Sequence, residues 1–464
     1  MSGFSVVHSK GHFRPMLRLA LPVLGEESLT LLVGWTDLWL VGQYIAGEES
    51  KAAMGLMSYV MWLIPSMFAA ISIGTVAIVS RLVGAGKPRT ANRLANQAVS
   101  IGILACVVVT ALTFWFQQPF IRAMNLEGQS ADFASRYLNR ILPVIPLIMI
   151  QQVGAASLRG AGDTITGLVV KSIVVVLNIL FSVLLVTGLW LAPQLGFDGI
   201  AMGTAIGHGT GGLILLAVMI RGRAGIRLKG GWLIPRWNLV KKLLRVGLPG
   251  GFDIAAVLVC QLMFLSFVNS LGKLQAAAHA VAIQIEAVAY LPGTAFQVAV
   301  ATMAGQFLGA RMPGRAMRSV FACTLAGLFV VSTSGGLVYL LADRISGFFI
   351  HASDAPTIQL AAELLRIVSW AMPALAVVMV LSGALRGAGD TKWPFVITLT
   401  GFLLIRIPLA YYLSLDEVSL LGLKIAGWEM GVQGAWYAML VDLVCRSLML
   451  SARTLQGGWQ RVRV

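Results

Sequence analysis

The 464 residues are 58% hydrophobic and only 12% charged, with a mean hydropathy of +0.83, whereas about a quarter of the residues of a soluble domain are charged. This excludes a water-soluble globular fold and points to a polytopic membrane protein. A formal net charge of +16 would suit a nucleic-acid binder, but the basic residues gather in alternate loops between apolar runs, which excludes that class as well.

Apolar stretches of about 20 residues or more, each long enough to cross a hydrocarbon core of roughly 30 Å as a helix, predict twelve spans. The first, 16–44, follows Lys10, Arg14 and Arg18; its apolar run is too long for a signal-peptide core and lacks a small-residue cleavage site. Lys87, Arg89 and Arg93 separate the second span, 53–83, from the third, 96–121. Spans at 133–158, 165–191 and 199–220 lead to a basic linker carrying Arg221, Arg223, Arg227, Lys229, Arg236, Lys241 and Lys242. Six more follow at 243–271, 277–308, 316–342, 357–385, 393–415 and 430–452, with Arg311, Arg315 and Arg318 after the eighth and Arg453, Arg461 and Arg463 after the twelfth. The opposite loops are acidic, with Glu48 and Glu49, Glu127 and Asp132, and Asp416 and Glu417. This positive-inside pattern and the even helix count predict both termini in the cytoplasm. Pro65, Pro143, Pro146, Pro292 and Pro373 fall inside spans and predict kinks. Cys106, Cys260, Cys323 and Cys445 stand singly in apolar runs, without metal-ligand spacing, and read as core residues.

"LRGAGDT" occurs at Leu158–Thr164 and again at Leu385–Thr391, an offset of 227. "RLALP" (Arg18–Pro22) answers "RVGLP" (Arg245–Pro249), Pro65 answers Pro292 and Pro146 answers Pro373 at that same offset, and "GAGKP" (Gly84–Pro88) answers "GARMP" (Gly309–Pro313) at 225. The chain is therefore read as an all-α membrane protein of two pseudo-symmetric six-helix lobes, 16–220 and 243–455, joined by the linker 221–242. Six is even, so a pseudo-two-fold axis along the membrane normal is expected, with a substrate site between the lobes. The repeated heptapeptide reads as a turn: its glycines end one helix, Asp163 or Asp390 caps the next, and Arg159 and Arg386 are expected at the cytoplasmic headgroups. "GAGKP" is not a phosphate loop, since the upstream glycine is missing and proline replaces Ser or Thr.

Ionisable residues inside spans are costly and suggest function by default. Glu26 and Asp37 share one stripe of the first span, which cannot face lipid. Burial disfavours the charge on Asp37, whereas nearby dipoles or a bound cation favour it, so this carboxylate could exchange a proton for sodium or for a cationic substrate. The repeat sets Asp253 opposite Glu26, offering each lobe one inner-half carboxylate, but the equivalent of Asp37 is Phe264. Glu286 either lines the second lobe's interior or pairs with Arg406, and Asp442 with Arg446 is an i,i+4 ion pair. Asn178 and Ser182 share a face of the fifth span and Thr204 opens the sixth, offering neutral oxygens of the kind a monovalent cation accepts. Trp35 and Met263 offer adaptable apolar and π surface to flat cations.

Across nearly its whole length the chain resembles the multidrug and toxic compound extrusion (MATE) family, of the bacterial DinF-like or NorM-like type. The residues that carry the likeness are "LALP" followed by an Asp in the first span, "VGAGKPRTANR", the two copies of "LRGAGDT", "GFDGIAMGTA" and "GQFLGARMPGRA". The resemblance implies a secondary antiporter of the bacterial cytoplasmic membrane, exporting amphipathic, often cationic compounds against protons or sodium by alternating access. It implies a cation site at Asp37, Asn178 and Thr204, with Ser182 where relatives carry a second acid, and an acid in the seventh span, for which Asp253 is the candidate; Glu26, Glu286, Trp35 and Met263 are read from the residues themselves as candidates to line a substrate cavity. No enzyme, no cofactor beyond the coupling ion and no nucleic-acid partner are implied; the expected partners are a small organic substrate and membrane lipids, the expected state a monomer. The alternatives are a lipid-linked precursor flippase of the same superfamily and a passive channel. An intramembrane enzyme is set aside because HExxH, GxSxG and paired-aspartate motifs are missing from the sequence and His208 and His279 stand alone.

Overall fold

The computed structural model describes residues 6–462 except Lys10, Ala46, Asn125, His351–Ser353 and Leu421–Gly422; Lys10 and Arg463, counted above among the basic residues, lie outside the described residues. The first six long helices are α1 (Phe13–Tyr44), α2 (Glu48–Gly84), α3 (Pro88–Ala123), α4 (Gly128–Gly160), α5 (Ile165–Thr187) and α6 (Phe197–Arg221). The second six are α7 (Trp237–Ser270), α8 (Lys273–Gly309), α9 (Pro313–Phe349), α10 (Ala355–Gly387), α11 (Lys392–Ser414) and α12 (Gly431–Leu455). Eleven of them are long and apolar enough to cross a membrane, and α1, 32 residues long, is the twelfth. Most run beyond their apolar stretches into charged flanks, where arginine and lysine stems can lie along a helix and keep their heads in water.

Among the described residues, β1 (Glu417–Leu420) and β2 (Leu423–Ala426) pair antiparallel between α11 and α12. The alternating "EVSLLGLKIA" encodes this hairpin, which the all-helical reading passes over.

Contact density divides the chain into two units. The first holds Leu21–Gly251 and the N-terminal stretch to Ser9; the second runs from Phe252 onward and includes residues 13–20 at the start of α1. The first unit thus holds the opening turns of α7, and the second those of α1. In the second unit His12 stacks edge-on against Phe307, with ring centroids 5.6 Å apart, and Arg315 lies 4.9 Å from the centroid of the same ring. Burial, with Arg315 and Arg318 nearby, holds the His12 imidazole below its ordinary range.

The prolines act unequally. In the first unit α2 breaks at Met67–Phe68 just after Pro65, and α4 passes through a 3-10 turn at Leu142–Val144, which contains Pro143 and precedes Pro146. In the second unit Pro292 and Pro373 sit inside uninterrupted helices. The residue equivalent to Pro143 is Trp370, so α10 loses one helical donor where α4 loses two within a turn.

The repeated heptapeptide is a packing turn in both units. Gly162 and Gly389 adopt φ of 89° and 86°, conformations that glycine enters freely. Asp163 caps α5 by accepting from the Thr166 amide (3.1 Å) and hydroxyl (2.7 Å), and it accepts from Arg223 beyond the end of α6 at 2.9 Å. Burial alone would raise the Asp163 carboxyl, but these bonds from Thr166 and Arg223 outweigh it and hold the group below the usual carboxylate range. Asp390 likewise accepts from Arg453 in the last turn of α12, at 2.8 Å. In each unit, then, the turn Asp is clasped by an arginine at or just beyond the end of that unit's sixth helix.

Candidate functional site

A ladder of small residues builds the first unit's polar centre. Gly199, Gly203, Gly207 and Gly211 recur every four residues on α6, which places them on one face. An added Cβ would meet the Leu185 backbone at 2.7 Å from Gly199, Ser182 Oγ at 2.2 Å from Gly203, the Val174 carbonyl at 2.8 Å from Gly207 and Val174 Cγ2 at 2.2 Å from Gly211. Backbones this close bring short side chains together across the crossing, as small-residue stripes do in membrane helices. Asn178 Nδ2 donates to Thr204 Oγ1 at 3.0 Å, and Tyr137 of α4 donates its hydroxyl to the same oxygen at 3.4 Å.

Asp37 completes this centre. It is 4% exposed, its Oδ1 is buried without a hydrogen-bond partner, and it lies within electrostatic reach of the Tyr137 hydroxyl. Among the described residues no Lys, Arg or His forms an ion pair with it. Asn178 Oδ1 and Ser182 Oγ are also buried and unpartnered. Three oxygens on α1 and α5 are thus taken from water without a bond in return, a costly state that a bound proton or metal cation would relieve.

The other acids have basic company. Glu26 lies against α5, where a Cβ on Gly167 would stand 3.2 Å from its Oε2. Glu26 and Glu27 are within electrostatic reach of Lys171, and Glu27 of Arg159. Asp253, fully buried, forms an ion pair with Arg386 of α10. This corrects the expectation that Arg386 rises to the headgroups, for a buried carboxylate left without a partner is more costly than a bent-in arginine. Arg406 donates to Asp442 at 2.9 Å, and Arg446 bonds the same oxygen at 2.6 Å; Glu286 adds to the field at Arg406 without displacing Asp442 as its hydrogen-bonded partner. Met263 helps line a cavity of about 510 Å³ between α7 and α11, beside Phe264, Phe267 and Tyr411. Trp35 is half exposed on α1.

The second unit fills the place equivalent to the polar centre differently. α11 is π-helical over Gly401–Arg406, and a π-turn absorbs one extra residue. Beyond it the register moves from 227 to 228, so Arg406 answers Asn178. Gly434 packs on the backbone of Leu413 and Ser414 as Gly199 packs on that of Leu185, so Gly434, Ala438, Asp442 and Arg446 answer the four glycines of α6. The guanidinium of Arg406 lies 5.7 Å from the ring centroid of Phe264, which replaces Asp37, and 4.4 Å from that of Phe402. Where the first unit has buried oxygens without partners, the second holds a tethered cation with its own counter-charge. Sequence reading missed Tyr137, Lys171 and the ladder; the four-residue glycine spacing was the available signal for the last.

The family model MatE matches the chain twice, over residues 22–184 and 249–412, which together are well over half of it. The chain belongs to the MatE family. It is a membrane transporter built on that family's twelve-helix fold. The probable multidrug resistance protein NorM of Thermotoga maritima is 28% identical over 448 residues, covering 97% of this chain and 93% of the relative. The multidrug resistance protein MdtK of Yersinia pestis is 23% identical over 447 residues, covering 95% and 94%. Among solved structures, a MOP superfamily transporter from Pyrococcus furiosus superposes with a TM-score of 0.87 at 19% identity over 97% of each chain. The bent form of the Vibrio cholerae MATE transporter VcmN gives 0.84 at 18% identity over 96% of each. The starts of the two family matches lie 227 residues apart and their ends 228, which is the π-turn's extra residue seen in sequence.

Proposed function

We propose that this MatE protein is a secondary antiporter of the bacterial cytoplasmic membrane, with both termini in the cytoplasm, which exports amphipathic cationic compounds in exchange for protons or sodium by alternating access. The work is transport rather than catalysis. The observation that carries the reading is Asp37: a carboxylate buried without ion-pair or hydrogen-bond compensation, within electrostatic reach of Tyr137, whose hydroxyl donates to the Thr204 oxygen that also accepts from Asn178. Such a group is stable when a proton or a cation neutralises it, and its release of that ion is favourable only in a state that rehydrates or repartners it. Thr204 and Tyr137 hold Asn178 in place, and Ser182 supplies a neutral oxygen where relatives carry a second acid. The names of the NorM and MdtK relatives support a drug-like substrate. The aromatic cavity beside Met263 suits a flat cation, and the ionic cluster of Arg406, Asp442 and Arg446 leaves the coupling role to the first unit.

The test uses purified protein in liposomes, a fluorescent organic cation, and a proton or a sodium gradient imposed separately on wild type and Asp37→Asn. One gradient is expected to drive dye transport in wild type, with loss of at least tenfold in the variant. If neither gradient moves dye through folded wild-type protein, antiport of drugs is wrong and the flippase reading takes its place. If Asp37→Asn remains fully coupled, the ion site lies elsewhere.

A further inference from the structure

The basic linker after α6 is docked rather than loose. Its backbone is hydrogen-bonded to one face of α3: Asn92 Oδ1 accepts from the Arg227 amide at 2.8 Å, Asn96 donates to the Arg227 carbonyl at 2.9 Å and accepts from the Lys229 amide at 2.8 Å. Gln97 donates to the carbonyls of Trp232 (2.6 Å) and Ile234 (2.9 Å) and accepts from the Arg236 amide at 2.6 Å, while Ser100 donates to Leu233. Four buried side chains at 92, 96, 97 and 100 thus fix the path of ten linker residues.

This staple creates a basic cavity of about 550 Å³ whose lining includes Arg89, Thr90, Arg93, Trp232, Arg236 and Trp237, and no acidic residue. Arg93 lies 5.2 Å and Lys229 4.7 Å from the centroid of the Trp232 indole. Two like charges therefore share one ring, and among the described residues neither they nor Arg89 and Arg236 has a carboxylate partner. Elsewhere in this unit Asp163 and Asp198 do find arginine partners. The cavity lies where two membrane spans begin, α3 at Pro88 and α7 at Trp237, which puts it at the boundary between hydrocarbon and water. Trp237 and Ile234 beside it are 70% and 69% exposed, as suits side chains that lie among lipid headgroups.

We infer that this cavity is a binding site for the headgroup of an anionic phospholipid, whose phosphate is held among Arg89, Arg93 and Arg236 and whose glycerol and upper acyl region rest on Trp237 and Ile234. A lipid is favoured over a soluble anion because the exposed apolar side chains stand next to the cations at membrane depth, and basic pockets between spans on the cytoplasmic side are suited to such headgroups. The inference is independent of the antiport reading.

The test uses delipidated full-length protein in detergent, titrated with dioleoylphosphatidylglycerol, zwitterionic dioleoylphosphatidylcholine, glycerol 3-phosphate and ATP, with binding read by native mass spectrometry and by the thermal midpoint. Phosphatidylglycerol is expected to bind roughly tenfold more tightly than phosphatidylcholine, each Arg→Gln substitution at 89, 93 or 236 to weaken it roughly fivefold, and Trp237→Ala to weaken the lipid alone. Arg93→Lys, which keeps the charge, is expected to retain most of the preference and serves if a Gln variant folds poorly. A triple Gln variant that melts normally without lipid and still prefers phosphatidylglycerol as wild type does would overturn the site. Binding of ATP or glycerol 3-phosphate as tight as that of the lipid would overturn its assignment to a membrane lipid.

Discussion

Gly203→Ala tests the close crossing of α5 and α6 on which the polar centre depends. The new methyl would stand 2.2 Å from Ser182 Oγ, 2.6 Å from its amide nitrogen and 2.9 Å from its Cα. The hydroxyl can rotate away but the backbone cannot, so the helices must part by roughly 0.7 Å to recover ordinary contact. A parting of that size carries the 3.0 Å bond from Asn178 to Thr204 beyond hydrogen-bond length. Overpacking costs about 1–3 kcal/mol and the lost bond about 1 kcal/mol, against a gain of about 1 kcal/mol from replacing a helical glycine. The expected net loss is about 1–3 kcal/mol, with a lower thermal midpoint in detergent and a larger fall in driven dye efflux. Gly336→Ala on α9, where a Cβ would meet nothing within 4 Å, is the control and is expected to hold or raise the midpoint. A Gly203→Ala protein that melts and transports like wild type would refute the reasoning.

Two further substitutions test other parts of the structure. Asp253→Asn or Arg386→Met alone leaves a charge without its buried partner and is expected to cost about 3–5 kcal/mol, whereas Asp253→Leu with Arg386→Met should cost less than either single change; denaturation midpoints of all three variants decide it, and additivity would argue against the pair. Arg311 adopts φ of 59° at the position where the first repeat has Gly86, so Arg311→Gly should relieve left-handed strain and stabilise by about 0.5–1 kcal/mol; an unchanged or lower melting temperature would contradict that.

What could be read from the sequence was what repeats locally. The heptapeptide turn and the apolar spans depend on neighbours within a few residues, and the structure has them. Contacts of long range were not legible: nothing near Asp253 names Arg386, 133 positions on, and nothing near Gln97 foretells that it receives the linker. The π-turn in α11 escaped for another reason. A one-residue shift hidden inside a helix leaves apolar periodicity almost intact, yet it moves Arg406, rather than Ile405, into the place of Asn178. Lys171, a lone lysine in an apolar run, was passed over as company for Glu26 and Glu27.

The opening turns of α1 belong with the second unit, where His12 meets Phe307, and this orders events during synthesis. Ribosomes add roughly 5–20 residues each second, so residues 13–20 wait at least ten seconds for the partners that begin at Phe252 to emerge. Until then the start of α1 has its length and its apolar character to hold it, but not its final neighbours. The first half can therefore enter the membrane early, yet its N-terminal turns can settle only once the second half is made, and the two halves expressed as separate chains should mature only when they are produced together.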